Sequence, residues 1–580
     1  MKIRRKNTAL VSACLSFCAV ALLAACTATM GAKAPSSQNG NTSQTAKARL
    51  YGDYLAASYA HQLGDSRARS EYYSRAFARV PDDIKLGQVS MLSALSANDN
   101  VLARALAIEV YAMNPQDGLS RAILGASALS KGHYKKASIY LADSNDGTGL
   151  DDINGLMQGW VEVGLGNQDA ALESFTQLQG GKYFELIGSL QKAKLYAALG
   201  DSEKADEFFK EIDTIGISSI ESLLSQVRAN LAKDDKDKAL ALLNAFAAKN
   251  GGALTGPVRL YLDMLAAEQE IETEFTPAQS ASRALTEPAF GYYAVQKRYE
   301  SAEMFLRLAL QLDPKNDKAR LFLASVLEDM NRDDDALSTY MKIGEKSAYA
   351  VSARLSEANI LFQKDKDSAA IQLLENVYET HPSRVTLDSL GRAHLIREDY
   401  AGALPYYNKL IASMSDAELQ KNPQPKYIRG ICLERLERWE EAVVDMEYVL
   451  KYQPQNADAL NYLGYTWVDK GVKLGTAFEM IRKAVALEPK SGAIIDSLGW
   501  AHYKLGQYGQ ARLKLEDAVE YSPSSATIVD HLGDVYWKVG RKREAEYQWR
   551  RAVSLDPTDK ELRVLKAKLK GGLNAASSVE

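Results

Sequence analysis

A period of 34 or 35 residues constrains this chain more than any other feature. Three segments near the C-terminus share one pattern: LGYTWVDKGVKLGTAFEMIRKAVALEP, LGWAHYKLGQYGQARLKLEDAVEYSP and LGDVYWKVGRKREAEYQWRRAVSLDP. Glycines lead at Gly464, Gly499 and Gly533. Alanines follow at Ala477, Ala511 and Ala545, and again at Ala484, Ala518 and Ala552. Each segment closes on proline, at Pro489, Pro523 and Pro557. Small residues at fixed spacing let two helices approach closely, and a larger side chain there overpacks the contact at a cost of about 1–3 kcal/mol. Proline stops the second helix, because it lacks an N–H and pushes its predecessor out of the α region.

The pattern resembles the tetratricopeptide repeat, two antiparallel helices per unit. The diagnostic alanine recurs backward at Ala442, Ala403, Ala370, Ala336 and Ala302, then at Ala239, Ala205, Ala171, Ala137 and Ala103. A first unit keeps Ala76 and Pro81 but carries Arg69 at the small position, as a terminal cap would. The resemblance implies an all-α superhelical solenoid of about fourteen helix pairs. The step from Ala403 to Ala442 is longer, and the loop SMSDAELQKNPQPK accommodates it. Between Ala239 and Ala302 no clean repeat appears; residues 251–285 read as a degenerate pair or a hinge. The expected layout is an N-terminal array at 49–250, that break, a C-terminal array at 286–560, and a capping helix with tail at 561–580. The cap places Leu562, Leu565 and Leu569 at helical spacing and is expected to turn a basic face outward.

The start of the chain addresses location. Lys2, Arg4, Arg5 and Lys6 precede an apolar run at 9–25, the order of a secretory signal. An uncleaved transmembrane helix is the competing reading of such a run. Leu23, Ala24, Ala25 and Cys26 resemble the lipobox of bacterial lipoproteins, which implies a signal peptide at 1–25 and a lipid on Cys26. Thr27 stands where an Asp commonly retains such proteins in the inner membrane, so the resemblance implies the outer membrane, facing the periplasm. Residues 26–48, which include GAKAPSSQNGNTSQTAKA, have too little apolar content to bury and read as a flexible leash.

Without residues 1–25 the chain carries 66 Lys+Arg against 74 Asp+Glu, a formal charge of −8. A mildly acidic balance argues against a general nucleic-acid binder. Cys14, Cys18 and Cys26 fall in or beside the signal, leaving Cys432 alone and no intramolecular disulfide. Its neighbours Ile431 and Leu433 make it a buried small hydrophobe. The six histidines form no HExxH and no i,i+4 pair, and no P-loop, G-x-S-x-G or Rossmann fingerprint occurs. Ser189–Lys192 (SLQK) matches S-x-x-K without its companion motifs. No catalytic residue, cofactor or metal is expected.

The first helix of each unit lines the concave face of such a solenoid. Residues three before, one after, and four and five after the leading small residue share one side of that helix. This selects Asn461, Tyr465 and Asp469; Asp496, Trp500, Tyr503 and Lys504; and Asp530, Asp534, Trp537 and Lys538. Rings beside a row of Asp and Asn suit an extended peptide, while packing between repeats is the alternative use of the aromatics. Some repeat proteins of this class clamp a partner's C-terminal carboxylate with Lys, Arg and Asn; Asp replaces the Lys here, against such a clamp. Arg541, Lys542, Arg543, Arg550 and Arg551 read as a solvated face.

A long repeat lipoprotein ending in HLGDVYWKVGRKREAEYQWRRAVSLDP resembles the bacterial envelope adaptors that dock carboxyl-terminal processing proteases and cell-wall hydrolases. The resemblance implies a non-catalytic protein-binding scaffold, tethered to the membrane by its lipid. Lipoprotein scaffolds for pilus assembly or exopolysaccharide secretion use similar repeats and are the alternative.

Overall fold

The computed structural model describes residues 39–142, 150–179, 181–214, 220–249 and 256–576. The expected signal peptide, the lipobox residues 23–25 and Cys26 lie outside these residues. Among the described residues the secondary structure is helical throughout, from Asn39–Gln62 to Leu573–Ala576. Fourteen helix pairs follow one another, the first Asn39–Gln62 with Ser66–Phe77 and the last Ala526–Lys538 with Lys542–Val553. The described chain is thus an all-α array of helix pairs, the architecture that the repeat pattern predicts.

The small-residue ladder explains the pairing. All thirteen diagnostic alanines, from Ala103 to Ala545, are buried, none more than 4% exposed, and so is Ala76 of the first unit. The leading glycines are equally confined: a Cβ on Gly464 would stand 2.7 Å from Ile481 and 3.0 Å from the Ala477 carbonyl. Every turn within a pair contains a residue in the left-handed region, and the turn at 470–473 adds a second, Lys473. Seven are glycines, such as Gly132 and Gly506; the others are Asn98, Asp234, Lys297, Asn331, Asp365, Glu398 and Glu437. Side-chain caps start many of the helices, with Asp99 accepting from the Leu102 amide at 2.9 Å and Asn456 from Ala459 at 2.9 Å.

Three boundaries differ from the expected layout. Helix Asn39–Gln62 opens inside the expected leash, so 39–48 is helical; extending an existing helix costs little per residue once the nucleus exists. The 251–285 segment is neither a helix pair nor a break that ends at 285. Its described residues, 256–285, hold one helix, Pro257–Ala266, then a non-helical link, then the start of Pro277–Ala294, which Thr276 caps and which runs past 285. The chain divides into two compact units between Val377 and Tyr378, within the expected C-terminal array. The long step before Ala442 also contains a short helix, Asp416–Lys421, held by a Ser415/Glu418 capping box.

The first unit shows why the division falls so late. Helices Pro277–Ala294 and Tyr299–Leu312 pack onto the concave side of the N-terminal repeats, and Leu285 and Phe305 share one apolar core with Leu124 and Ile153. Helix Gly118–Leu129 is consequently buried at all twelve residues. Polar contacts fix the register. Glu303 accepts from Ser96 Oγ at 2.8 Å and pairs with Arg332 at 2.8 Å and Arg307 at 3.3 Å. Arg307 donates to the Ser96 carbonyl at 2.8 Å, Ser66 to Asp335 at 3.1 Å, and Tyr183 to the Glu287 carbonyl at 2.7 Å. The N-terminal groove is filled by the protein's own later repeats.

In the second unit, helix Asp559–Gly571 caps the last pair through Val564 and Leu565. Arg563, Lys566 and Lys570 face outward, as expected of a cap, but Lys568 is buried. Cys432 is buried, and burial pushes its thiol up to about 11.

Candidate concave surface of the second unit

Helices Ala457–Asp469, Gly492–Lys504 and Ala526–Lys538 are the first helices of the last three pairs. Each buries eight of its thirteen residues, in contrast to the fully covered Gly118–Leu129. The half-buried remainder includes Asn461, Tyr465, Trp500, Tyr503, Asp530 and Trp537, and Asp469, Lys504 and Lys538 are exposed.

The central group is built around Trp500. Its indole stacks on Tyr503 at 4.7 Å and on His531 at 4.1 Å, with interplanar angles of 4° and 16°. Lys504 lies 5.4 Å over the same indole and pairs with Asp469 at 3.3 Å. Asp496, buried beneath, holds His531 Nδ1 at 2.9 Å. Burial works against a charged imidazole, but Asp496, with Asp530 and Asp534 nearby, outweighs it and raises the His531 pKa. A protonated imidazole stacked on an indole adds a cation–π attraction. Burial, then Asp469 and Asp496, holds the Tyr465 hydroxyl well above its usual range, so Tyr465 is a neutral hydrogen-bonding ring.

Two buried polar atoms here have no hydrogen-bond partner among the described residues: the Trp500 indole N–H, a donor, and Asn461 Oδ1, an acceptor. Buried polar groups in native proteins are otherwise paired, and leaving one unmade costs roughly 1–3 kcal/mol.

The distal part of the row is engaged within the chain. Lys568 reaches Asp530 at 2.7 Å and Asp534 at 2.8 Å, and the Trp549 indole donates to Asp534 at 2.9 Å. Burial, with Asp530 beside it, pushes the Asp534 carboxyl up to about 6 despite Lys568. Trp537 packs on Trp549 at 5.3 Å and against Gly572, where a Cβ would come within 2.1 Å of the indole. Lys538 lies 5.9 Å over the Tyr508 ring. The structure therefore gathers Asp469, Asp496, Trp500, Tyr503 and Lys504 into one cluster with His531, and ties Asp530, Asp534 and Trp537 to the cap. Sequence spacing missed His531, Lys568 and Trp549. His531 could have been found from its place two residues before Gly533, which faces the Asp496 position of the preceding repeat.

Among the described residues no group of three or more His, Cys, Asp and Glu could hold a metal, and no helix is long and apolar enough to cross a membrane. Tetratricopeptide-repeat family models match residues 189–215, 295–348 and 497–567, the last spanning most of this surface. A TPR repeat-containing protein of Pseudomonas aeruginosa is 27% identical over 198 residues, 34% of this chain and 32% of that protein. The matched region thus spans about a third of the curated relative. A tetratricopeptide-repeat protein from Parabacteroides merdae covers 50% of this chain and 97% of its own at 15% identity, TM-score 0.35. The Cut9–Hcn1 hetero-tetramer of the APC/C matches 90% of this chain and 96% of its own at 14% identity, TM-score 0.36. YrrB, described as a TPR protein with an unusual peptide-binding site, matches 33% of this chain and 95% of its own at 21% identity, TM-score 0.28. Repeats of this kind form a scaffold for protein–protein interaction.

Proposed function

We propose that the chain is a non-catalytic adaptor at the bacterial cell envelope. It is tethered to the outer membrane through a lipid on Cys26, and it recruits a periplasmic carboxyl-terminal processing protease, cell-wall hydrolases, or both. The lipobox-like Leu23-Ala24-Ala25-Cys26 supports the tether. The observation that carries the docking reading is the half-exposed ring cluster of Trp500 and Tyr503 beside the exposed Asp469 and Lys504. Rings grip apolar side chains of an extended segment, and Asp469 or Lys504 reads its charge. Anchoring raises the local concentration of whatever docks.

The test is capture from envelope extract with the full chain and with a Trp500→Ala/Tyr503→Ala variant, followed by mass spectrometry. Recovery of a carboxyl-terminal protease or wall hydrolase that fades with the variant supports the reading. Equal recovery by both baits discards the surface, and recovery of secretion-channel or pilus subunits discards the adaptor. Labelled palmitate entering the protein but not its Cys26→Ser variant checks the anchor.

A further inference from the structure

Helix Asn39–Gln62 opens the array, and from Leu50 to Leu63 the chain is apolar on both of its sides. The inner side packs on helix Ser66–Phe77: Ala57 and Ala60 are buried, and the Tyr54 ring stands edge-on to Tyr73 at 5.7 Å. This stretch holds no Lys, Arg or Glu. Its one Asp, Asp53, is buried and pairs with Arg75 at 3.0 Å and Arg79 at 2.9 Å.

The outer side is uncovered among the described residues. Tyr51, Leu55, Tyr59 and, just past the helix end, Leu63 recur at four-residue spacing and are 62–66% exposed. Tyr54, 48% exposed, widens the row. Lys47 stands one turn before Tyr51 on the same side and is exposed. Repeat arrays need a polar outer face on their terminal units, and the C-terminal cap has one in Arg563, Lys566 and Lys570. The first helix breaks that rule. A helix apolar all round belongs between two layers, and a contiguous exposed apolar patch marks an interaction surface.

What covers the row follows from its place in the chain. On the reading that Cys26 carries a lipid, only the twelve residues 27–38 separate the anchor from the helix. As a flexible coil they reach about 20 Å, and fully extended at most about 43 Å. The row therefore stays beside the bilayer. Residues 27–38 cannot cover it themselves, since Met30 is their one large apolar side chain. A tethered face meets the bilayer continuously and a second copy only by encounter. The side chains suit the interface: tyrosine rings sit at headgroup level, leucines reach the acyl boundary, and a lysine meets anionic headgroups.

We propose that this row is a membrane-docking face, with Tyr51, Tyr54, Leu55, Tyr59 and Leu63 seated in the bilayer interface. The helix lies on the membrane without crossing it and lays the first repeat along the surface. The lipid-anchor reading supplies the proximity on which this rests.

The test uses the chain from Thr27 onward, which keeps every described residue and carries no lipid. A histidine tag ahead of Thr27 holds it, through a nickel-chelating lipid, on vesicles of phosphatidylethanolamine and phosphatidylglycerol, with the natural leash between. A polarity-sensitive dye on Gln62→Cys reports docking, because the remaining thiol, Cys432, is buried. Dye emission is expected to shift to the blue and to be quenched by brominated acyl chains. Both responses are expected to fall about tenfold or more in Tyr51→Ser/Leu55→Ser/Tyr59→Ser. These side chains are exposed, so an unchanged thermal midpoint separates lost docking from a lost fold. A dye indifferent to brominated lipid overturns the proposal, as does quenching that the triple variant retains. A blue shift without quenching, with a dimer in sedimentation that the variant abolishes, overturns it in favour of a second copy. Palmitate labelling decides the anchor alone: docking without label upholds the face and discards the tether, and label without docking does the reverse.

Discussion

Replacing Glu303 by Met tests whether the first unit is latched onto its own repeats. Met is similar in length and carries no charge, so the change removes a carboxylate shared by two guanidiniums. The side chains of Arg307 and Arg332 are 8% and 4% exposed. Breaking a buried pair from one side costs about 3–5 kcal/mol, because the partner charge stays buried. Some compensation remains: Arg332 keeps Asp335 at 2.7 Å, and Arg307 keeps the Ser96 carbonyl and Asn98 Oδ1, the latter at 3.2 Å. The expected loss therefore sits at the lower end, about 3 kcal/mol. Amide hydrogen exchange reads it locally. Helices Ile84–Ser96 and Gly118–Leu129 are expected to exchange on the order of a hundredfold faster, at about 1.4 kcal/mol per tenfold, while Ala526–Lys538 stays unchanged. Converting Glu303, Arg307 and Arg332 together to Met removes the whole group and is expected to recover most of the protection. Acceleration below threefold, equal acceleration in both units, or a triple variant no better than the single one would refute the latch.

Other expected outcomes concern single contacts. Lys568→Met leaves Asp530 and Asp534 without their cation and should destabilise the last repeats by about 3–5 kcal/mol in urea unfolding monitored at Trp549. Part of that loss should return as pH falls, because Asp534, raised to about 6 even with Lys568 beside it, takes up a proton at still higher pH once that cation is gone. His531 has a raised pKa in the fold, so its pairing with Asp496 is complete below the unfolded value of about 6.5 and is lost as pH rises through the folded value. The fluorescence difference between the parent and a Trp500→Phe variant should titrate on that alkaline side, and a flat difference would deny the charged stack. A Cβ on Gly188 would lie 2.2 Å from the Phe175 carbonyl, so Gly188→Ala should cost about 1–3 kcal/mol in denaturant unfolding.

What was legible in the sequence follows from what repeats. Each helix contact needs a small residue, so the alanine ladder shows through thirteen times, failing only in the first unit, where Arg69 stands. The left-handed turns are harder to see, because Lys297, Glu398 and Glu437 occupy them as well as glycine. The filled N-terminal groove left no periodic trace: Ser96 and Glu303 are 207 residues apart, and each looks ordinary in its own repeat. At the candidate surface, face-counting along each helix found the aromatic and acidic row. It could not find groups supplied by a neighbouring repeat or by the cap, which is why His531 and Lys568 were missed. The boundary after 285 failed for a related reason, since the link before Thr276 and the helix after it look alike in composition but only the latter is capped.

The cis-filled groove also sets a clock on the chain. At roughly 5–20 residues per second, synthesis delivers Glu303 about 10–40 s after Ser96. Through that interval the concave faces of Ile84–Ser96 and Gly118–Leu129 have only water to meet, although most of their residues are destined for burial. The nascent N-terminal repeats are therefore an unfinished object with an apolar furrow, and a fragment ending before Pro277 would keep it permanently. Such a fragment, unlike the usual truncated repeat array, should aggregate or draw in chaperones, because the missing repeats are the lid of the first ones as well as their continuation.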